Sequence, residues 1–284
     1  MMSNKKERLD VLLVENGLFE TREKAKRAIM AGIVYGNEVR LDKPGEKVSR
    51  DVVLSVKGQT LPYVSRGGLK LEKAIKEFNV DVQDKIMIDI GSSTGGFTDC
   101  ALQNGAKLSY ALDVGYNQLA WKLRQDERVI VMERTNFRYV TPADFQEGMP
   151  EFASIDVSFI SLRLIFPVLK TILRPKSDVV ALIKPQFEAG KEFVGKKGIV
   201  RDPSVHEFVL KEMLAFVLKE GYDVHNLSYS PITGGDGNIE FLLHLRWEGS
   251  QEKGTNFVDK TERQIVDEAH LILKEKKQIE KQEK

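Results

Sequence analysis

One stretch of this 284-residue chain has the residue types that hold a nucleotide-like ligand. In Ile86-Met87-Ile88-Asp89-Ile90-Gly91-Ser92-Ser93-Thr94-Gly95-Gly96-Phe97 an apolar run carries an acid near its end, enters a glycine-rich turn and leads into a helix-length segment. Strand, turn and helix at the carboxyl edge of a parallel sheet form a common ligand-binding crevice. Glycines there let the backbone approach the ligand closely. The spacing Gly91-x-x-x-Gly95-Gly96 matches neither the Gly-x-Gly-x-x-Gly of dinucleotide folds nor the Gly-Lys-Ser/Thr of a P-loop. Asp113 closes the next apolar run, about 20 residues on, where a carboxylate accepts ribose hydroxyls. Asp89 suits the cationic amino group of S-adenosylmethionine better than a pyrophosphate. Gly91, Ser93, Gly95, Gly96 and Phe97 complete the candidate cofactor loop. A tight turn with no ligand is the plain alternative.

Four more charged residues sit in segments that otherwise look structural. Lys70 follows Ser65-Arg66-Gly67-Gly68-Leu69, Asp156 lies in Ser154-Ile155-Asp156-Val157-Ser158, Lys184 precedes Pro185, and Glu240 opens an apolar run. Taken singly, each could be a surface charge or a strand-end ion pair. Ends of parallel strands share one sheet edge, so Asp156 and Lys184 belong beside the glycine loop, where Asp156 could also meet the cofactor.

The elements that must position these groups follow from periodicity. Apolar strands alternate with helix-length segments, which predicts an α/β chain with a doubly wound, Rossmann-like fold. Its sheet would be mostly parallel and seven-stranded, with an antiparallel edge strand. The strand candidates are Ile86–Ile90, Leu108–Val114, Val129–Met132, Phe152–Val157, Val179–Ile183, Asp223–Tyr229 and Ile239–Trp247, the last two forming a hairpin. A helix is expected from Leu69 to about Phe78. Ser204 with Glu207 reads as a capping box for a helix ending near Gly221. Upstream, Leu9, Leu12 and Leu13 recur at helical spacing before Gly17. Thr21 would cap a second helix reaching Met30 and stopped by Gly32. Ile33–Tyr35, a Gly36-Asn37 turn and a strand around Val52–Val56 complete a small α+β unit. The expected domains are therefore 1–58, a connector at 59–66, a main domain at 67–248 and a charged helical tail at 249–284. Ile265, Leu271, Ile272, Leu273 and Ile279 would share one face of that tail.

Net charge is only +1, but residues 1–70 hold 14 Lys and Arg against 9 Asp and Glu, a basic bias that suits a polyanion partner. The single cysteine, Cys100, excludes an intrachain disulfide and a multi-cysteine zinc site, and fits a cytoplasmic setting. No apolar run approaches the roughly 18–20 residues of a membrane-spanning helix, and no signal peptide is visible, so no membrane partner is expected. His206 falls in a first helical turn and is expected to be exposed. His225, His244 and His270 lack ligand-like spacing, so no metal is expected.

The motifs resemble the FtsJ-type ribose 2′-O-methyltransferases. Their Lys–Asp–Lys–Glu tetrad is matched by Lys70, Asp156, Lys184 and Glu240. Their Ser-Arg…Lys-Leu and Asp-x-Gly-x-x-x-Gly-Gly patterns are matched by Ser65-Arg66…Lys70-Leu71 and by Asp89–Gly96. Over about residues 7–247 the chain is similar to the TlyA family, often labelled hemolysins, which joins an S4-like RNA-binding module to this catalytic domain. That similarity extends to Asp113-Val114-Gly115-Tyr116, Glu133-Arg134-Thr135-Asn136 and Lys197-Gly198-Ile199-Val200-Arg201. It implies methyl transfer from S-adenosylmethionine to ribose 2′-hydroxyls of ribosomal RNA (16S, 23S or both), with Asn136 among the cofactor residues. It also implies ribosomal RNA or ribosomal subunits as partners.

A ribose hydroxyl is a poor nucleophile until its proton is removed or polarised. Lys184 is the candidate base, provided burial or a neighbouring cation lowers its pKa. Lys70 would supply repulsion while Asp156 and Glu240 pull the other way, so Lys184 as base and Lys184 as a steering group both stay open. Arg8, Arg22, Lys26 and Arg27 crowd the first two helices, and Arg66 precedes Lys70; all five are candidate RNA contacts, with ordinary solvated charge as the alternative. Lys191, Lys196, Lys197 and Arg201 form a second basic patch. Rival readings are a membrane-active hemolysin, which needs a membrane segment, and an RNA-binding protein with an inactive methyltransferase fold, against which the intact tetrad stands. A pseudouridine synthase would need a different catalytic domain.

Overall fold

The computed structural model describes residues 6–30, 32–57, 61–234, 237–250 and 252–282. The chain divides into two compact units, residues 1–64 and 65–284.

In the first unit the order is β1 (Lys6–Arg8), α1 (Leu9–Glu15), α2 (Arg22–Met30), β2 (Val34–Gly36), β3 (Val39–Arg40), β4 (Lys47–Ser49) and β5 (Leu54–Val56). Leu9, Leu13, Ala25, Ala28, Ile29 and Val34 are buried together, which is the helical spacing at work. Thr21 Oγ1 accepts the Lys24 amide at 3.3 Å, the contact of an N-cap. Strand β2 lies between β3 and β5, and β1 pairs with β4 in a separate ladder. The expected Gly36-Asn37 turn falls one residue later, at Asn37 and Glu38, both at positive φ, and the structure adds a short β3 before the strand expected around 52–56. Strands of two or three residues are too short to show periodicity. Connector residues 58–60 lie outside the described residues.

The second unit runs α3 (Gly68–Phe78), β6 (Ile86–Ile90), α4 (Gly96–Gln103), β7 (Leu108–Leu112), α5 (Trp121–Arg124), β8 (Val129–Met132), β9 (Phe152–Ile155), α6 (Phe166–Ile172), β10 (Ser177–Ile183), α7 (Pro185–Glu188), α8 (Pro203–Lys219), β11 (Asp223–Tyr229), β12 (Phe241–Trp247) and α9 (Glu262–Gln282). Seven strands among the described residues form one sheet in the order β11-β12-β10-β9-β6-β7-β8. The pairs from β10 to β8 are parallel, and β12 is antiparallel to both β10 and β11. Every residue of β10 is buried, as expected of a strand covered on both faces. Strands β7 and β9 stop at Leu112 and Ile155, so Asp113 and Asp156 are the first residues beyond their carboxyl ends. Because β12 runs backwards, Phe241 pairs with Ile183 and Glu240 arrives at the same edge as Lys184.

Three expectations fail at the C-terminal side. The α8 cap is Asp202, whose carboxylate accepts the Ser204 amide at 2.8 Å, with Pro203 in the first turn; Ser204 is already helical. His206 is fully buried, not exposed, on the face that carries Val209, Leu210 and Met213. On α9 the buried face holds Ile265, Val266, Ala269 and Leu273, whereas Leu271 points outward; the side chain of Ile279 lies outside the described residues. No helix among the described residues is long and apolar enough to cross a membrane.

Candidate active site

The glycine loop is built for close approach. Gly91 has φ +84°, and a Cβ there would fall 2.6 Å from the Asp156 carbonyl oxygen. A Cβ on Gly96 would meet the Gly68 nitrogen at 2.8 Å, so its absence lets α4 start against α3. Gly95, at φ +95°, packs against Leu119 and Leu123 and does not line the cleft described below. The loop is tied to β7 by the Gly91 and Ser92 amides, which both donate to the Leu112 carbonyl.

Two expected cofactor acids hold this loop in shape. Asp113 accepts the Ser93 amide at 2.8 Å and the Gly115 amide at 2.7 Å. Asp89 is 1% exposed and accepts from the Thr98 amide (3.0 Å), Thr98 Oγ1 (2.8 Å) and Ser154 Oγ (3.0 Å). Burial raises its pKa to about 6, despite the opposing pull of those hydrogen bonds. Both acids still line the cleft, which leaves carboxylate lone pairs for a ligand.

The dispersed charges converge. The Lys70 ammonium, projecting from α3, lies 3.1 Å from Asp156 Oδ2 and 2.8 Å from Glu240 Oε2. Lys184 Nζ lies 2.5 Å from Asp156 Oδ1 and donates to Ser158 Oγ at 3.1 Å. Asp156 therefore bridges two lysines whose side chains are each 9% exposed. Neither Asp156 Oδ1 nor Glu240 Oε2 receives a well-aligned hydrogen bond. Burial opposes charge on Lys70, but Asp156 and Glu240 outweigh it and hold the ammonium above its ordinary pKa. Burial likewise opposes charge on Asp156, and Lys70 and Lys184 bring its carboxyl below the usual range.

Two cavities meet at this edge. One, of about 340 Å³, is polar and lined by Arg66, Lys70, Asp89, Phe97, Asp156 and Lys184. The other, of about 520 Å³, is more apolar, with Leu112, Phe137, Ile160 and Ile165 beside Asp113 and Asn136. Gly91, Ser93, Asp156 and Ser158 belong to both, so the two form one elongated cleft over the glycine loop. A ligand with a flat apolar end and a charged end fits such a shape. Asn136 also caps a helical turn, its Oδ1 accepting the Arg138 amide at 3.2 Å. Glu240 lies behind Lys70, 2% exposed.

Residues 63–247 match the FtsJ-like methyltransferase family, and residues 7–54 match the S4 domain. The chain belongs to the FtsJ-like methyltransferase family. It is 75% identical to a Bacillus subtilis protein described as a candidate rRNA methyltransferase, YqxC, over 97% of this chain and 98% of that one. It is 40% identical to the 16S/23S rRNA (cytidine-2′-O)-methyltransferase TlyA of Mycobacterium tuberculosis, over 84% and 89%. The solved structure of a Streptococcus thermophilus protein described as a hemolysin superposes with a TM-score of 0.77 at 57% identity, covering 97% of this chain and all of that one.

The expected RNA contacts separate into distinct environments. Arg66 lines the polar cavity of this FtsJ-like unit. In the S4 unit, Arg8 and Arg22 both grip Asp10, at 2.9 and 2.7 Å. Lys26 pairs with Glu23 at 3.2 Å, and Arg27 is exposed with no ion pair among the described residues. Of the second basic patch, the side chain of Lys196 lies outside the described residues. Sequence reasoning passed over Thr98 and Ser154, which hold Asp89, and Ser158, which holds Lys184. Ser158 stands two residues after Asp156, a spacing that could have drawn notice.

Proposed function

We propose that the chain transfers a methyl group to a ribose 2′-hydroxyl of ribosomal RNA in the cytoplasm, with Lys70, Asp156, Lys184 and Glu240 as its catalytic residues. The observation that carries this is Asp156 bridging both lysines where the two cavities meet. S-adenosylmethionine supplies an electrophilic methyl group on a sulfonium. The apolar cavity with Asp113 and Asn136 suits its adenosine, and Asp89 suits its amino group.

Lys70 is committed to two carboxylates and stays charged, which orients Asp156 and Glu240. Lys184 has one carboxylate contact, shared with Lys70, and one hydroxyl contact, so it is the amine that reaches the acceptor. Lys184 would meet the ribose hydroxyl, and the proton that the oxygen loses on methylation would leave to solvent through the cleft by way of the Lys184 amine. S-adenosylmethionine, when bound, would supply the methyl carbon and take its leaving electron pair on sulfur. Holding oxygen, carbon and sulfur in line supplies much of the rate. The S4 unit binds the RNA through its phosphates, which makes binding fall with salt.

The test is transfer of labelled methyl from S-adenosylmethionine to isolated ribosomal subunits, followed by alkaline hydrolysis. A 2′-O-methyl ribose cannot cleave its own 3′ phosphodiester, so label in alkali-resistant dinucleotides is expected. Label recovered only in mononucleotides carrying methylated bases overturns the reading.

A further inference from the structure

We infer that Ser158 is a positioning residue for methyl transfer, fixing the direction in which the Lys184 nitrogen meets the acceptor hydroxyl; the inference rests on the function proposed above.

Lys184 is 8% exposed, whereas Ser158 is exposed and lines both cavities. Asp156 also lines both cavities but is half-buried, so the serine is the more exposed of the amine's two partners. An amine nitrogen has three directions besides its bond to carbon. Here one donates to Ser158 Oγ at 3.1 Å, and the ion-pair contact with Asp156 Oδ1 at 2.5 Å, though not aligned as a hydrogen bond, occupies a second. The third is left for the cleft. With Asp156 alone, the nitrogen could turn about a single contact and present that third direction anywhere on a cone. A second anchor removes the freedom.

The hydroxyl suits the task because it accepts an N–H from the neutral amine and from the ammonium alike. A second carboxylate in its place would favour only the charged form. The third direction then carries a lone pair when Lys184 is a base and an N–H when it polarises, and the same geometry serves both. Lys70 and Glu240 lie on the far side of Asp156, Arg66 lines the same cavity, and the Phe187 ring centre is 6.0 Å from Lys184 Nζ. Among these, Ser158 is the neutral hydrogen-bonding partner. Its place is fixed from below. Glu188 on α7 accepts Ser161 Oγ at 2.6 Å and the Leu162 amide at 2.7 Å, which bolts the segment after β9 to the helix that follows Lys184.

The experiment compares full-length wild type, Ser158→Ala, Ser158→Thr and Lys184→Ala for methyl transfer to ribosomal subunits, and for S-adenosylmethionine binding by calorimetry. Ser158→Ala is expected to lower kcat about tenfold by loosening the alignment, with KM for RNA and cofactor Kd within about twofold. Ser158→Thr, which keeps the hydroxyl, is expected to return kcat to within about threefold of wild type. Unchanged kcat in Ser158→Ala, with Lys184→Ala inactive, overturns the role of Ser158 and leaves the reaction assigned. Equal loss in Ser158→Ala and Ser158→Thr, or a fall in cofactor affinity matching the fall in rate, also overturns it. Absence of alkali-resistant product from wild type overturns the underlying reaction instead.

Discussion

Asp156 and Asp178 sit at opposite edges of one sheet, and each is surrounded by cations. Asp178, at the start of β10, meets Lys85 at 3.1 Å, His244 at 3.1 Å and Arg246 at 3.4 Å. Burial alone would raise its pKa, but hydrogen bonds from His244 and Lys85 bring it to about 2. Its cations reach solvent: Lys85 is 24% and Arg246 32% exposed. Asp156 meets two lysines that are each 9% exposed, at a cleft, and one of its oxygens lacks an aligned hydrogen bond. A charged cluster at a strand end is therefore not a site in itself. What separates the two is where the cations can go. At Asp178 the cluster is a satisfied clamp with a solvated rim. At Asp156 buried amines keep a free direction toward an open cavity.

Removing one cation from each cluster is the sharpest way to break this comparison. Lys184→Met is expected to cut methyl transfer by about 10²–10⁴-fold, the range for loss of a group that handles the proton, while cofactor affinity changes little. Lys85→Met is expected to leave turnover unaltered and only lower the melting temperature. Steady-state kinetics of the two variants decide the matter; comparable losses would erase the distinction between clamp and site. The next largest effect is on the clamp. Asp178→Asn leaves His244 and two cations without their carboxylate and is expected to cost about 3 kcal/mol of stability, as breaking a buried pair does. Denaturant unfolding would show it, with kcat per folded molecule unchanged. Loss of activity at full stability would make Asp178 part of the site after all.

Both clusters contain residues that stand out in the sequence, yet only one could be recognised there. Asp156 and Lys184 were legible because a parallel sheet places strand ends on one edge, whereas Lys70, on α3, and Glu240 joined them through the resemblance to the tetrad. The antiparallel return of β12 then brings Glu240 to that edge through the Ile183–Phe241 pairing. Asp178 follows the same alternation and carries no motif, so its partners, drawn from β12 and from the residue ahead of β6, could not be paired in advance. The α8 start was misplaced by two residues because Ser204-x-x-Glu207 imitates a capping box, while Asp202-Pro203 is the true start. Residues three, four and seven apart share a helix face, and His206 stands at those spacings from the buried Val209, Leu210 and Met213. That is why His206 is in the core, and Ser158 escaped notice because a lone serine in an irregular segment carries no periodicity.

The misread histidine supplies a pH test that the Asp178 clamp should not show. His206 Nδ1 lies 3.0 Å from His270 Nε2 on α9, Nε2 lies 3.2 Å from the Val200 carbonyl, and Asp202 is the nearby carboxylate. Burial, then the neighbouring His270, lowers its pKa from 6.5 to about 4. An unfolded chain thus binds more protons than the folded one between those values. The contribution is complete above pH 6.5 and is lost as pH falls toward 4. Stability is expected to drop by about 2 kcal/mol from pH 7 to pH 5, and His206→Phe should flatten that fall. A melting profile of the variant with the same slope as wild type would remove His206 as its source.

The smallest effect tests whether the clamp-versus-site distinction extends to the S4 unit. Arg8 and Arg22 are spent on Asp10, whose side chain is fully buried and whose pKa is held at about 2, chiefly by the Arg8 hydrogen bond against the cost of burial. They resemble the cations around Asp178. Arg27 stands exposed on α2 with no ion pair among the described residues, as a phosphate-binding arginine should. Arg27→Gln is therefore expected to weaken binding to ribosomal RNA a few-fold and to reduce the slope of log K against log salt by about 1. Arg22→Gln is expected to lower the stability of the unit and leave that slope alone, because its guanidinium is already held by a buried carboxylate. Equal changes of slope in the two variants would mean that Asp10 releases Arg22 to the RNA, and the arginine pair would then be a store of phosphate contacts and not a clamp.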